Sequence, residues 1–270
     1  MTDVLTRASG LPDAVVRYAD HPDGFVDLHL PAFPPRGLVV LVHGGFWRAE
    51  WDRRHTRPMA EALRAQGYVV ATPEYRRTGA VGDAAGGWPQ TPYDVRDAVA
   101  ALPALLDGVG DGVPGPVALL GHSAGGHLVL WLASEGLDVD RVVALAPVGD
   151  LLDAEAQDLD EGAVRALLGG PSAEHPERYA AADPAHRLAA RSPDRPEVVV
   201  LHGTADQHVP VANSDWADEN DHVTLRRLEG VAHFELIDPE EPVWREVLEA
   251  LDGRAVNATA ARSSPGPRPR

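Results

Sequence analysis

Five uninterrupted apolar runs of strand length constrain this chain more than any other feature: GLVVLVH (37–43), YVVAT (68–72), PVALLG (116–121), RVVALAP (141–147) and EVVVLHG (197–203). A strand with one wet face alternates apolar and polar residues. A continuous run instead marks a strand covered on both faces. Between the runs lie helical stretches at 56–66, 93–106 and 124–135. Strands alternating with helices build βαβ units, so the expected class is α/β, with a mostly parallel central sheet flanked by helices. Two short alternating segments, 14–18 and 25–30, read as antiparallel strands at one sheet edge. The alternation resumes late in the chain with a helix near 211–218, a strand at 223–228 and a final helix at 243–251. All of this fits one domain over residues 1–253. The stretch from about 150 to 195 breaks the rhythm. It is rich in Ala, Asp, Glu and Pro, with helical pieces at 161–168 and 176–182, and it reads as a small helical cap insertion. Residues 254–270 have no apolar period and end in Pro-Gly-Pro-Arg-Pro-Arg, so a disordered tail is expected there.

Composition narrows the function classes. Lys+Arg number 24 against 41 Asp+Glu, a formal net charge of −17, which lacks the basic footprint that nucleic acids and anionic membranes require. All 24 basic residues are arginine. Cysteine is absent, which removes disulfides, zinc-thiolate sites and cysteine nucleophiles. No apolar export segment or run of membrane-spanning length is visible, so a cytoplasmic location is expected. The expected partner is a small-molecule substrate, with no nucleic acid and no membrane, and a homo-oligomer is left open.

The chemistry-bearing residues cluster at the ends of these runs. Gly121-His122-Ser123-Ala124-Gly125 fits G-x-S-x-G between a buried strand and an apolar helix. A sharp turn there presents the serine in strained backbone geometry, and the helix N-terminus aims free amides at it, that of Ala124 among them. His43-Gly44-Gly45-Phe46-Trp47 follows the first central strand, where Gly44 and Gly45 are candidates for the second half of an oxyanion hole. His43 itself is read as fixing that loop. A serine hydroxyl needs a base and an orienting carboxylate, in the chain order Ser, acid, His. Asp206 lies just past the run at 197–203, and His233 just past the strand at 223–228. His208 is the nearest rival base, but it shares the acid's loop, whereas the base should follow a later strand. Asp215, Asp218 and Asp238 are less well placed as the acid. His122 is expected to face away from the hydroxyl's partner. There is no H-E-x-x-H, and His122 and His127 are five apart, so no metal or organic cofactor is called for. Phe46, Trp47, Trp88 and Phe234 fall near the catalytic end and are candidate substrate-binding residues, with packing of the cap as the competing reading.

With these residues in hand, the chain resembles the α/β-hydrolase superfamily from about residue 14 to 251. HGGFW with GHSAGG is similar to the branch of arylformamidases (kynurenine formamidases) and small carboxylesterases, and Pro73-Glu74-Tyr75-Arg76-Arg77 also looks like that branch. The resemblance implies Ser123 as nucleophile, Asp206 as acid, His233 as base and Gly44, Gly45 and Ala124 as oxyanion donors. It implies hydrolysis of an ester or aryl amide, N-formylkynurenine being one candidate. An acyltransferase or thioesterase using the same residues, and a non-catalytic binding protein on the same scaffold, are the alternatives.

Overall fold

The computed structural model describes residues 4–109, 112–189 and 196–253. Its centre is an eight-stranded sheet built from β1 (Ala14–Arg17), β2 (Phe25–His29), β3 (Gly37–Val42), β4 (Tyr68–Pro73), β5 (Val117–His122), β6 (Arg141–Leu145), β7 (Glu197–Gly203) and β8 (Val223–Leu228). The spatial order is β1-β2-β4-β3-β5-β6-β7-β8. The β1–β2 and β2–β4 pairs are antiparallel and all others parallel. The antiparallel edge expected at 14–18 and 25–30 is present within a residue of those limits.

Alternation within each strand divides the core in two. Leu38, Val40 and Val42 of β3 face one layer, which holds α2 (Gln90–Val109) and α3 (Ala124–Glu135). Val39 and Leu41 face the other, which holds α1 (Arg57–Ala65) and, at the end of the chain, Trp244–Asp252. Both faces are therefore dry, which is why the runs are continuous rather than alternating. The chain leaves β3 for β4 on one side and returns to β5 on the other. The resulting crevice at the carboxyl ends of β3 and β5 is where open α/β sheets bind ligands.

The insertion between β6 and β7 folds as four short helices: α4 (Leu151–Ala156), α5 (Ala163–Leu168), α6 (Pro176–Ala182) and α7 (Pro184–Ala189). The helix ending the chain's described part is α8 (Trp244–Asp252). Only α5 and α6 were expected from pattern. Two local caps define the others: the Asp150 carboxylate accepts the Asp153 amide at the start of α4, and Asp183 accepts those of Leu151 and His186. The region read as 211–218 is a 3-10 helix, Val211–Glu219, rather than an α-helix. The tail expected at 254–270 lies outside the described residues, as do 190–195 of the insertion.

Candidate active site

Ser123 sits between β5 and α3 with φ 55° and ψ −118°, a conformation that disfavours any residue with a β-carbon. The turn is tight on both sides. A β-carbon on Gly121 would fall 2.2 Å from the Gly125 carbonyl oxygen, and one on Gly125 would fall 2.1 Å from that of Val42, so both positions admit only glycine. The Ser123 amide donates to Leu145 O at 2.8 Å, anchoring the strained residue to β6.

The residues expected as acid and base meet. His233 Nδ1 donates to Asp206 Oδ2 at 2.6 Å, which turns Nε2 away from the carboxylate. Ser123 and His233 line one cavity of about 160 Å³, together with Gly45, Phe46, Trp51, His55, Asp160, His208 and Phe234, with His122 and Leu5 completing its wall. Burial works against the charge on Asp206. Hydrogen bonds from His202, His233 and the Val209 amide outweigh it and hold the carboxyl below the usual range. Burial lowers the pKa of His233 against the pull of Asp206, so the imidazole is neutral and free to accept a proton at neutral pH.

Two supports for this pair were not visible in the sequence. His202 is fully buried on β7, its Nε2 facing Val209 O at 2.9 Å and Asp206 Oδ2 at 3.5 Å. That nitrogen therefore carries the proton, and Nδ1 accepts from the Ser214 hydroxyl at 2.8 Å. The second support is His122, and here the expectation is corrected. Its ring does not face away from the base but lies 4.5 Å from that of His233, with Nε2 donating to the His233 carbonyl at 3.1 Å. Burial keeps His122 neutral. The β8 loop folds back onto the elbow, a contact across 111 residues that no local pattern announces. His208, the rival base, packs 5.1 Å from the His233 ring, and its backbone amide caps Asp206 Oδ1 at 2.8 Å.

On the other side of Ser123, the loop after β3 is held by buried charge. His43 places Nε2 2.8 Å from Glu74 Oε1 and Nδ1 2.8 Å from Gly44 O, and its ring stacks on Tyr75 at 4.3 Å. His43 thus fixes the loop, as expected. Burial would raise Glu74, but His43, Arg77 and the Arg53 amide hold it down at about 2. Arg53 in turn pairs with Asp27 at 2.7 Å. Gly45 (φ 107°) and Phe46 face the cavity. Among the described residues their amides, and that of Ala124, have no protein partner. Gly44 packs behind them, where a β-carbon would lie 3.0 Å from Ser123 Cβ.

Two of the four aromatic candidates are displaced. Trp47 is fully buried rather than in the cavity. Gly45, Phe46 and Trp47 all have positive φ, so the chain reverses and drives the indole down onto His127, 5.0 Å away. Trp88 packs edge-on against Trp131 at 5.7 Å, and its amide donates to Leu167 O of α5, so it ties the cap to the sheet. Phe46 and Phe234 do line the cavity, joined by Trp51, which carried no motif to single it out.

The strand order, the serine on a strained turn after β5, and the Asp206 and His233 loops after β7 and β8 define the α/β-hydrolase fold. The model of the BD-FAE family matches residues 26–220, and the chain belongs to that family. It is similar to Lipase LipV of Mycobacterium tuberculosis (strain ATCC 25618 / H37Rv), with 30% identity over 149 residues, 54% of this chain. Those residues amount to 50% of that relative, so the chain spans about half its length. Esterase B from Lactobacillus rhamnosis superposes with a TM-score of 0.72 at 22% identity, over 92% of this chain and 87% of that one. A thermophilic esterase from the Planctomycetes species Thermogutta terrifontis gives 0.68 at 21% identity, over 96% and 99%. Among the described residues no helix is long and apolar enough to cross a membrane.

Proposed function

We propose that this chain is a serine hydrolase of esterase type acting on small, uncharged substrates. The observation that carries the reading is the Asp206–His233 hydrogen bond of 2.6 Å at the wall of the cavity that also holds Ser123 on its strained turn. His233 Nε2 takes the proton as Ser123 Oγ attacks the carbonyl carbon. The amides of Gly45 and Ala124, with that of Phe46 beside them, receive the negative charge that moves to the carbonyl oxygen. Collapse of the tetrahedral adduct breaks the bond to the leaving group, which takes the proton from His233. Water then repeats the sequence on the acyl-serine and releases the acid. Asp206 holds the ring tautomer and stabilises the imidazolium between these steps.

Size and charge support the substrate class. A cavity near 150 Å³ takes roughly a benzene-sized group, and this one, about 160 Å³, suits a short acyl chain or one aryl ring. His55 and His122, both depressed by burial, add no positive charge, and Asp160 is neutralised by Arg48 at 2.5 Å. The finer reading, an arylformamidase-like preference, draws on the HGGFW loop and on Phe46, Trp51 and Phe234 as aromatic walls. One panel tests both levels: short p-nitrophenyl esters beside N-formyl-arylamines, N-formylkynurenine included. Hydrolysis of the esters with Ser123→Ala inactive is the expected result. Esters turned over with formylamines untouched would remove the finer reading alone, and turnover by Ser123→Ala would remove both.

A further inference from the structure

The cavity wall includes a residue far from every motif. Leu5 belongs to a 3-10 turn, Val4–Thr6, that lies ahead of the first strand and contributes nothing to the sheet. Three fastenings hold this segment across the site. Val4 is 5% exposed and sits in the core layer with Met59 and Leu63 of α1 and with Leu236 and Ile237. Arg7 grips Asp238 with its two terminal nitrogens, Nη1 to Oδ1 at 2.5 Å and Nη2 to Oδ2 at 2.6 Å. The Gly10 amide donates to Glu61 Oε2 at 3.0 Å. Asp238 closes the 3-10 turn Glu235–Ile237 that directly follows His233 and Phe234. The segment is thus strapped to the same loop that carries the base, and Leu5 packs on the core layer that also receives Phe234.

A two-pronged Arg–carboxylate contact fixes orientation as well as distance. At this position it fixes where Leu5 stands in a cavity whose wall it shares with Phe46 and Trp51. An apolar wall so held acts on substrate size. Each methylene beyond the available space must displace the wall or stay in water, which separates neighbouring homologues by about tenfold or more.

We propose that the 4–10 segment is a size filter for the substrate's apolar chain, with Leu5 as its contact residue and the Arg7–Asp238 pair as its fastening. The proposal rests on the serine-hydrolase reading of the same cavity. It gives the N-terminal residues a part in specificity that the catalytic residues do not need for bond cleavage.

The test is an acyl-chain profile, kcat/KM for p-nitrophenyl acetate, butyrate, hexanoate and octanoate, on the full chain. Leu5→Ala is expected to raise the hexanoate-to-acetate ratio by about tenfold or more, and Leu5→Trp to lower it below that of the unaltered chain. Arg7→Ala, which frees the fastening and leaves Leu5 in place, is expected to shift the ratio in the direction of Leu5→Ala. Tm measured on each variant separates an opened wall from a loosened fold. A ratio identical in Leu5→Ala, Leu5→Trp and the unaltered chain overturns the filter. A shift in both Leu5 variants with none in Arg7→Ala overturns the fastening. Ser123→Ala, assayed alongside, reports on the hydrolase reading independently, since a failed filter with an inactive Ser123→Ala leaves that reading intact.

Discussion

The two loops that flank Ser123 are held by opposite means. The loop after β3, proposed to supply the oxyanion donors, rests on buried fixed charge: Glu74 between His43, Arg53 and Arg77, with Asp27 behind Arg53. Around Asp206 and His233 themselves the supports are hydrogen-bonding side chains, His202, Ser214 and His122, and the nearest guanidinium contact is Arg7 with Asp238, five residues past His233. The difference follows from what each side must do. Amide donors that receive a developing charge gain from being immobile, and buried ion pairs are costly to break once one partner is lost. The side that moves a proton needs a base titrating near neutral pH, and a cluster of fixed cations there would drive the imidazole's pKa further down. Guanidinium therefore crowds Glu74, and imidazole and hydroxyl crowd Asp206, with Arg7 kept further along the loop at Asp238.

The largest effect expected is loss of turnover in Ser123→Ala, by about a thousandfold or more, with unchanged circular dichroism, because both sides act only through that hydroxyl. Next, His233→Ala is expected to cost at least about a thousandfold in kcat, and His208→Ala far less. Comparable losses would mean that the proton-moving side has two bases and the contrast with the oxyanion side is misdrawn. Stability separates the two supports. Glu74→Ala leaves Arg53 with Asp27 and Arg77 with Asp23 but removes the carboxylate that both share with His43, and is expected to lower unfolding free energy by about 3 kcal/mol in denaturant titration. Ser214→Ala removes one neutral hydrogen bond and is expected to cost about 1 kcal/mol. Equal costs would erase the distinction between charged and neutral scaffolding.

The smallest effects concern pH. Burial depresses His233, so kcat/KM is expected to rise with pH to a plateau whose midpoint lies below 6.5, the ordinary histidine value. A midpoint above that value would contradict the burial argument. Stability has its own acid limb. His55 and His127 are depressed to about 4 in the fold by burial, so the unfolded chain binds protons first as pH falls. Stability from these groups is full above about 6.5 and drains away between there and 4. Melting temperatures across that interval check the sign.

Much of this protein could be read from short windows of sequence. The continuous apolar runs dictated strands wet on neither face, because a residue's face in a strand depends only on its position along it. The elbow was nearly as local: Gly121, Ser123 and Gly125 are separated by single residues, and the Gly125 carbonyl excludes a β-carbon at Gly121 within the turn itself, although Gly125 is confined by Val42 of β3. The pairing of Asp206 with His233 was legible too, since both sit directly after strands whose carboxyl ends must converge.

Tertiary structure decided everything that depended on which distant segment arrives. Trp47 and Phe46 are adjacent, yet one is interred on His127 and the other lines the cavity, because a run of positive φ reverses the chain between them. His122 meets a carbonyl 111 residues away, and Leu5 lines the cavity of Ser123 beside an Arg7–Asp238 pair that spans 231 residues. Periodicity and the motif of a tight turn are properties of a few consecutive residues and are written in them. The choice of partner across the fold is set by close packing of the whole core, which no short stretch of sequence contains.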